Sequence, residues 1–459
     1  MDKLTQSLGR PLSRRDVLKA GAVAGAGAVA AGLVGSRRTV AQDQLAPAEL
    51  ELWHQDWPPI NEAYKSLKAG VEAAQPNIKI KDTPLPYEQL LAKMLPSIAA
   101  GTEPEIMMAY SSWLVGSDIP ALFTPIAPTL MTVDDAEALF YPAALSEGLR
   151  GDQLFYLPYL QGMGGSTFTY NTTILEEAGI DPASLKTWDD LIAAGKALVI
   201  WDGDKLVRAG VAFSPFIASA WVTGIRQLGG EYFDSETGKF SLTTDVAKQS
   251  LKNIDDLLKV HKLDDILKEA PSHANMTGYG QPDGFEKGQA AITNQGSWIV
   301  SGYENTSPDF RAGIIAMPNM GDATQELELG HNAVHVLSRR LQDDPAKLAA
   351  AAYFVSQMAN AAYFLPLADH YGGSVIIPAV ARDPTITDRH WGSIQQQYDR
   401  DVWPRATFEQ HHLVDWSFET AWPQLLRVFK DSEDMGTVLT DLENQSNQLE
   451  QDARDKLGL

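Results

Sequence analysis

The sequence predicts an α/β protein with two lobes, each built on a doubly wound and mainly parallel sheet flanked by helices. At 459 residues the chain is too long for one ordinary hydrophobic core. Strand-like and helix-like segments alternate along most of it, the order that produces parallel sheets with helices on both faces. Hydrophobic residues make up 44% and charged residues 21%, as in folded globular chains.

The first 41 residues predict an export signal. Arg14 and Arg15 precede an Ala/Gly/Val stretch over residues 20–35, as in twin-arginine signal peptides, although Val17 stands where the usual pattern has Phe. We expect cleavage after Ala41; an uncleaved membrane anchor is the alternative. The prediction is therefore a protein of the periplasm or of the extracellular face of the cell membrane.

Charge and cysteine usage exclude several classes of protein. The net charge of −22 opposes a nucleic-acid partner, because phosphates require a basic face. The chain contains no cysteine, which excludes disulfides, zinc–thiolate sites, thiol nucleophiles and a lipidated N-terminal cysteine.

The first lobe begins with a β-α-β-α-β pattern. Apolar and alternating segments predict strands, amphipathic segments predict helices, and Gly101 is expected to end the second helix. The predicted elements are strands at 49–53, 78–80 and 105–109 and helices at 61–74 and 87–100. Ligands bind at the carboxyl ends of parallel strands, so loops 53–59 and 110–116 are expected to line a site.

The second lobe opens with a strand at 166–170. Asn171 is expected to cap a helix that ends at Gly179, and Thr187 with Asp190 forms a capping box for the next helix. The remaining predicted elements are strands at 290–293, 313–318 and 332–337, a helix at 344–358, and a mostly helical stretch at 416–459.

No motif for catalysis or metal binding is found. The sequence lacks a P-loop and, after the leader, a nucleophile elbow. His331 and His335 have zincin spacing without the required glutamate, and adjacent carboxylates are interpreted as solvated helix faces. We therefore predict no catalytic residue, no metal and no cofactor.

Aromatic residues beside polar ones mark three predicted strand ends. These clusters occupy residues 53–57, 110–113 and 294–298. A sugar offers an apolar CH face and a rim of hydroxyls, so its site needs flat rings and planar polar groups. The alternative is that these rings fill the hydrophobic core.

Six short motifs recur in a characteristic order after the leader. They are 99–106 (AAGTEPEI), 170–180 (YNTTILEEAGI), 187–191 (TWDDL), 285–292 (FEKGQAAI), 296–298 (GSW) and 317–318 (MP). In order and spacing they resemble the extracellular solute-binding proteins of family 1, the carbohydrate-binding receptors of ABC importers and relatives of maltose-binding protein. The resemblance covers nearly the whole chain after the leader, with Glu105 replacing the common Asp.

The resemblance implies a type II periplasmic-binding-protein fold with a hinged cleft between its lobes. Chain crossings are expected near 158–165, 329–334 and 371–378. The implied division is signal peptide 1–41, first lobe 42–160, second lobe 161–330, first-lobe return 331–375 and second-lobe helical part 376–459. It also implies a monomer that delivers a carbohydrate to an ABC transporter permease.

Site residues follow loosely from the resemblance, with Trp298 as the best stacking residue. The full predicted set is Trp53, His54, Asp56, Trp57, Glu88, Tyr110, Ser111, Trp113, Trp221, Trp298, Gly373 and Trp416. Two other functions stay open. The same fold would suit glycerol-3-phosphate or a related phosphodiester, and an exported glycoside hydrolase or lyase would need two carboxylates flanking one bond.

Overall fold

The computed structural model describes most of the chain after the leader. The signal peptide, Trp298 and Gly373 lie outside the described residues. The described residues are 44–114, 119–126, 132–161, 166–212, 216–261, 282–296, 299, 309–322, 327–329, 332–357, 375–388, 392–408, 411–413 and 416–457.

The first part of the chain begins with the predicted β-α-β-α-β order. Strand β1 alternates buried and more exposed residues, as a strand with one core face should. The elements are β1 (Ala48–Gln55), α1 (Pro58–Ala74), β2 (Ile78–Leu85), α2 (Tyr87–Ala100), β3 (Ile106–Tyr110), α3 (Ser111–Leu114), α4 (Ile119–Leu122), β4 (Phe123–Thr124), α5 (Val133–Leu139), α6 (Pro142–Ser146), β5 (Leu149–Arg150), β6 (Gln153–Leu154) and β7 (Tyr156–Gln161).

The second part of the chain carries the predicted caps. Asn171 accepts a hydrogen bond from the Ile174 N–H, and Thr187 and Asp190 form the capping box. The elements are β8 (Thr167–Asn171), α7 (Thr172–Glu177), a 3₁₀ turn (Pro182–Ser184), α8 (Trp188–Leu198), β9 (Ile200–Asp202), β10 (Lys205–Ala212), α9 (Ile217–Gln227), β11 (Phe233–Asp234), β12 (Lys239–Phe240), α10 (Asp245–Lys259), α11 (Pro282–Glu286), β13 (Ala290–Thr293) and β14 (Ala312–Ala316).

The last part of the chain returns to the first sheet and then becomes helical. Its elements are β15 (Leu327–Leu329), β16 (Asn332–Ser338), a 3₁₀ turn (Arg339–Asp343), α12 (Pro345–Gln357), α13 (Pro378–Ala381), α14 (Pro384–Thr387), α15 (Gly392–Gln397), a π turn (Tyr398–Val402), a 3₁₀ turn (Trp403–Arg405), β17 (Ala406–Phe408), a π turn (Ser417–Ala421), α16 (Trp422–Phe429) and α17 (Met435–Leu457).

Two sheets form the framework of the lobes. The first has the order β2-β1-β3-β16-β4, with β7 also pairing with β16, and the second has the order β14-β8-β13-β10-β9. Strand β16 thus returns from the second part of the chain to complete the first sheet. The predicted two-lobed α/β architecture agrees with this arrangement.

The sheets are mixed, which corrects the expectation that they are mainly parallel. The pairs β1–β2, β1–β3 and β10–β13 are parallel. Strand β8 is the first strand of the second sheet, and β16 is the strand with which the chain returns to the first sheet. Both pair antiparallel with their neighbours. A strand that arrives from the other lobe enters at the opposite end from one that follows a βα unit, so its direction is reversed.

The helices agree with the sequence prediction at one predicted end and differ from it in number. Gly101 has a φ of 67°, the left-handed conformation expected of a glycine that ends a helix. Helices α9 and α10 lie outside the predicted set; every residue of α9 is buried, whereas α10 has one buried face. Among the described helices, none combines the length and apolar character needed to cross a bilayer.

A buried histidine makes the second lobe sensitive to acid. The Nε2 atom of His261 accepts the N–H groups of Gly210 and Val211, at 2.9 and 3.1 Å, from strand β10. Burial lowers the pKa of His261 from 6.5 to about 4. Protonation would place an N–H against two donors, so the ring is neutral in the folded protein.

We predict that this histidine lowers stability in acid. Its unfolded pKa lies above its folded pKa, so the free energy of unfolding falls as the pH drops below 6.5. The expected contribution at pH 4.5 is about 2 to 3 kcal/mol. The variant His261→Gln keeps a hydrogen-bond acceptor but does not titrate. Urea unfolding at pH 7.5 and at pH 4.5 should show that its free energy of unfolding falls less than that of the wild-type protein. Equal losses in the two proteins would contradict this assignment.

Candidate ligand site

Strand register brings the ends of several strands to one edge of each sheet. In the first sheet, Tyr110 at the end of β3 pairs with Ala333, and Gln161 at the end of β7 pairs with Asn332. In the second sheet, the start of β8 lies beside the ends of β13 and β14, because Thr169 pairs with Thr293 and Thr167 with Ala316.

The chain connects these two edges directly. Strand β7 ends at Gln161 and the described second part starts at Ser166, five residues further on. An extended chain of that length spans at most about 18 Å. A second short connection joins Leu329 in β15, a strand that pairs with β17 outside both sheets, to Asn332 in β16. The two edges therefore lie close enough to form the walls of one cleft.

An aromatic cluster occupies the first wall. The ring centroids of Tyr87, Tyr110 and Trp113 are 4.9 to 5.5 Å apart, with tilted or edge-to-face geometry. Such contacts stabilise aromatic pairs beyond their buried area. The Tyr110 hydroxyl donates to Gln55 Oε1 at 2.5 Å, which links the end of β3 to the end of β1. We call Gln55, Tyr87, Tyr110 and Trp113 the first-wall cluster.

Within this cluster, the rings differ in exposure. Trp113 is fully buried and Tyr110 is 8% exposed, whereas Tyr87 is half-buried. Tyr87 therefore presents more of its ring to a ligand than the other two. The sequence prediction omits Tyr87, although a usable signal existed: it follows the carboxyl end of β2 and directly precedes the predicted Glu88.

Other predicted residues of the first wall are solvent-accessible. Asp56 and Glu88 are exposed, and Trp57 is half-buried where it precedes α1. Asp56 accepts a hydrogen bond from the Asn61 side chain at 2.9 Å. Trp53 is half-buried, its Nε1 donates to Glu51, and Lys93 lies 5.9 Å from its ring centroid.

Two predicted residues of this lobe are buried inside it. The His54 ring lies 4.4 Å from the Tyr64 ring and is 1% exposed, and Ser111 is equally buried. Burial lowers the pKa of His54, so its ring is neutral in the folded protein. Side chains alternate between the two faces of β1, and this alternation places His54 on the face towards the core. We therefore do not include His54 among the proposed ligand contacts.

Trp221 and Trp416 lie in the core of the second lobe. Both rings are fully buried and stack with centroids 6.4 Å apart. Their Nε1 atoms donate to the Ala247 carbonyl and to Ser446 Oγ, so their polar atoms are satisfied inside the protein. The structure corrects the expectation that these two rings contact ligand, because neither offers a free face.

Buried polar residues line this edge of the second sheet, which we call the second wall. The buried groups at this edge carry hydroxyls or carboxamides, and Thr169 Oγ1 donates to the Gln295 carbonyl at 2.9 Å. Ser166 and Thr223 approach to 3.4 Å. These residues are Ser166, Thr167, Thr169, Thr223, Thr293, Asn294 and Gln295. The predicted cluster at 294–298 thus begins at this wall, while its Trp298 lies outside the described residues.

The described residues offer no metal centre. No group of three or more His, Asp or Glu side chains among them is arranged to hold a metal ion. His335, which has the zincin spacing with His331, is instead buried against Tyr64, whose hydroxyl contacts its Nε2.

Two mixed sheets flanked by helices, between which the chain crosses in short segments, define a two-lobed α/β protein of the type II periplasmic-binding class. The sequence model of the family of bacterial extracellular solute-binding proteins matches residues 57–324, and the chain belongs to that family. A twin-arginine translocation signal matches residues 11–31, so the chain is exported to the periplasm or the extracellular face of the membrane.

A curated relative and two solved structures show what the chain is similar to. It is 26% identical over 249 residues to the arabinooligosaccharide-binding protein of Bacillus subtilis, covering 52% of this chain and 53% of the relative. The match thus spans about half the length of that protein.

The structural likenesses cover more of the chain. The cyclic alpha-maltosyl-1,6-maltose binding protein of Arthrobacter globiformis has a TM-score of 0.65 at 20% identity, covering 88% of this chain and 99% of that one. The GacH receptor of Streptomyces glaucescens has a TM-score of 0.69 at 15% identity, covering 89% and 100%. At these identities the likeness establishes the fold.

Proposed function

We propose that the protein is an extracytoplasmic receptor that captures an oligosaccharide or glycoside in the interlobe cleft and delivers it to an ABC importer. The observation that carries this proposal is the half-buried, preorganised Tyr87 ring of the first wall, which lies on the same wall as the exposed carboxylates of Asp56 and Glu88. The relative from Bacillus subtilis is named as an arabinooligosaccharide-binding protein, which supports the same ligand class.

The chemistry of the first wall suits a sugar. The half-buried Tyr87 ring offers a flat face for the CH groups of a pyranose or furanose, and Trp57 offers a second one. Gln55, held by Tyr110, has a carboxamide that can donate to a hydroxyl while its Oε1 is engaged. Asp56 and Glu88, both exposed, can accept hydroxyl hydrogens.

We infer that the protein binds its ligand without chemical change. Hydrolysis of a glycoside needs two carboxyl groups at a set separation, one of them a proton donor. Asp56 and Glu88 are the carboxylates that the described strand ends β1 and β2 offer, and both are exposed on the same wall. A phosphodiester ligand would instead favour arginine or lysine, and the first-wall cluster contains neither.

Delivery depends on lobe closure. A ligand that contacts both walls favours the closed arrangement, so closure is a shift between two populations. A permease that binds the closed form would then receive only loaded receptor. We propose a monomer as the transport-competent form, since the cleft is built from one chain.

The resemblance makes Trp298 the strongest single candidate for stacking. We predict that Trp298→Ala abolishes carbohydrate binding, measured by calorimetry, and leaves the far-ultraviolet circular dichroism spectrum unchanged. Trp201→Ala is the matched control, because Trp201 is partly buried on the edge strand β9, remote from the cleft. Binding at wild-type affinity by Trp298→Ala would contradict the assignment.

A turnover assay separates receptor from enzyme. Purified protein incubated with mixed glycans should release no reducing ends, and bound sugar should be recovered intact. Sustained release that is lost in Asp56→Asn or Glu88→Gln would replace the receptor function with a hydrolase.

A further inference from the structure

The segment 375–408 is joined to the second lobe at several points. The Ile314 N–H of β14 donates to Gln397 Oε1 at 2.7 Å, and Arg405 donates to Asn319 Oδ1 at 3.0 Å. Further along the chain, Trp416 packs against Trp221 in the core of that lobe. The segment therefore follows the second lobe when the lobes move.

The same segment contacts the first lobe around Tyr141, which precedes α6. The Tyr141 ring stacks on Trp403 with centroids 4.6 Å apart and planes 9° from parallel. Its hydroxyl donates to Asp399 Oδ1 at 2.6 Å, and Arg382 donates to both oxygens of Asp399 at 2.7 Å. The Tyr141 N–H also donates to the Ile376 carbonyl at 3.2 Å.

Tyr141 itself is fixed in the first lobe. Just after α6, the Phe155 N–H donates to the Gly148 carbonyl, and the hydroxyl of Tyr156 in β7 donates to the Glu147 carbonyl at 2.5 Å. Strand β7 is paired with β16 of the first sheet. The stack and the hydroxyl–carboxylate bond thus join a residue of one lobe to a segment anchored in the other.

We propose that Tyr141, Arg382, Asp399 and Trp403 form an interlobe latch that holds the lobes in the orientation seen in this structure. The hydrogen bond from the Tyr141 hydroxyl to the Asp399 carboxylate is charge-assisted, and Arg382 orients that carboxylate through two parallel hydrogen bonds. Such bonds are directional and stronger than hydrogen bonds between neutral groups. A rotation of one lobe against the other moves Tyr141 relative to Asp399, so the latch must open for the lobes to move. The latch therefore sets the equilibrium between lobe orientations.

The absence of cysteine allows a direct test without any ligand. Lys65 on α1 and Lys252 on α10 are exposed in different lobes, so Lys65→Cys with Lys252→Cys gives two unique sites for spin labels. Pulsed electron paramagnetic resonance then gives the distribution of interlobe distances. We expect Tyr141→Phe, which removes the hydroxyl but keeps the ring, to add a second population or shift the distribution.

Two further variants make the test decisive. Asp399→Asn weakens the same bond from the other side and should change the distribution in the same way. Thr124→Val is the matched control, because it removes a buried hydroxyl bond within the first lobe, from Thr124 Oγ1 to the Ser338 carbonyl at 2.9 Å, and should leave the distribution unchanged. Wild-type distributions in both latch variants, or an equal shift in the control, would overturn the proposal.

Discussion

Tyr87→Ala is expected to lower carbohydrate affinity about thirtyfold, a loss of about 2 kcal/mol that is typical of a central aromatic contact. The half-buried ring is held from behind by Tyr110 and Trp113, so its orientation exists before a ligand arrives. Preorganisation of this kind reduces the entropy lost on binding. Calorimetric titration with the sugar that binds the wild-type protein measures the change.

Two variants control this experiment. Tyr87→Phe keeps the ring and should bind within a few-fold of wild type, because stacking does not need the hydroxyl. Tyr353→Ala removes another partly buried tyrosine of the first-lobe portion, on α12, and should leave affinity unchanged. Wild-type affinity in Tyr87→Ala would move the ligand away from the first-wall cluster.

Trp416→Ala is expected to lower the free energy of unfolding by about 3 to 5 kcal/mol, the usual cost of truncating a fully buried large ring. The Trp416 ring stacks on Phe240 and Tyr232, with centroids 5.1 and 6.0 Å away, and its Nε1 donates to Ser446. Its removal opens a cavity in the second-lobe core and leaves that hydroxyl without its donor. Urea unfolding measures the loss.

The same variant tests whether Trp416 touches ligand. Trp416→Phe keeps an aromatic ring and loses the hydrogen bond, so it should be less destabilised than Trp416→Ala. Below the denaturation range both variants should bind sugar with wild-type affinity, since the ring has no free face. Full stability combined with lost affinity would instead place Trp416 in the cleft, as the resemblance implied.

Local patterns predicted the elements of both lobes better than the directions of their strands. Strand β1 and helix α2 follow from alternation, helical period and the glycine cap, which are properties of neighbouring residues. The antiparallel pairing of β8 and β16 depends on where the chain crosses between lobes. No local pattern carries that information.

The sequence predicted aromatic residues at strand ends, but it does not tell which of these rings are exposed. Trp113 and Tyr110 do meet beside the end of β1, yet Tyr87 is the more exposed ring. An aromatic residue after a strand turns inward or outward according to the helix that follows it. Trp221 and Trp416 show the same ambiguity, because a tryptophan with a polar neighbour in sequence satisfies its N–H equally well inside a core.

A thermal-shift screen of residues 42–459 tests the central proposal most directly. The panel holds neutral oligosaccharides, monosaccharides, polyols, glycerol-3-phosphate and glycerophosphodiesters. A ligand that binds only the folded state at a hundredfold excess over its Kd stabilises that state by about 2.7 kcal/mol. We expect a raised Tm with one class of oligosaccharide or glycoside, recovered unchanged afterwards. A shift with a phosphodiester and with no sugar would contradict the proposed function while leaving the fold intact.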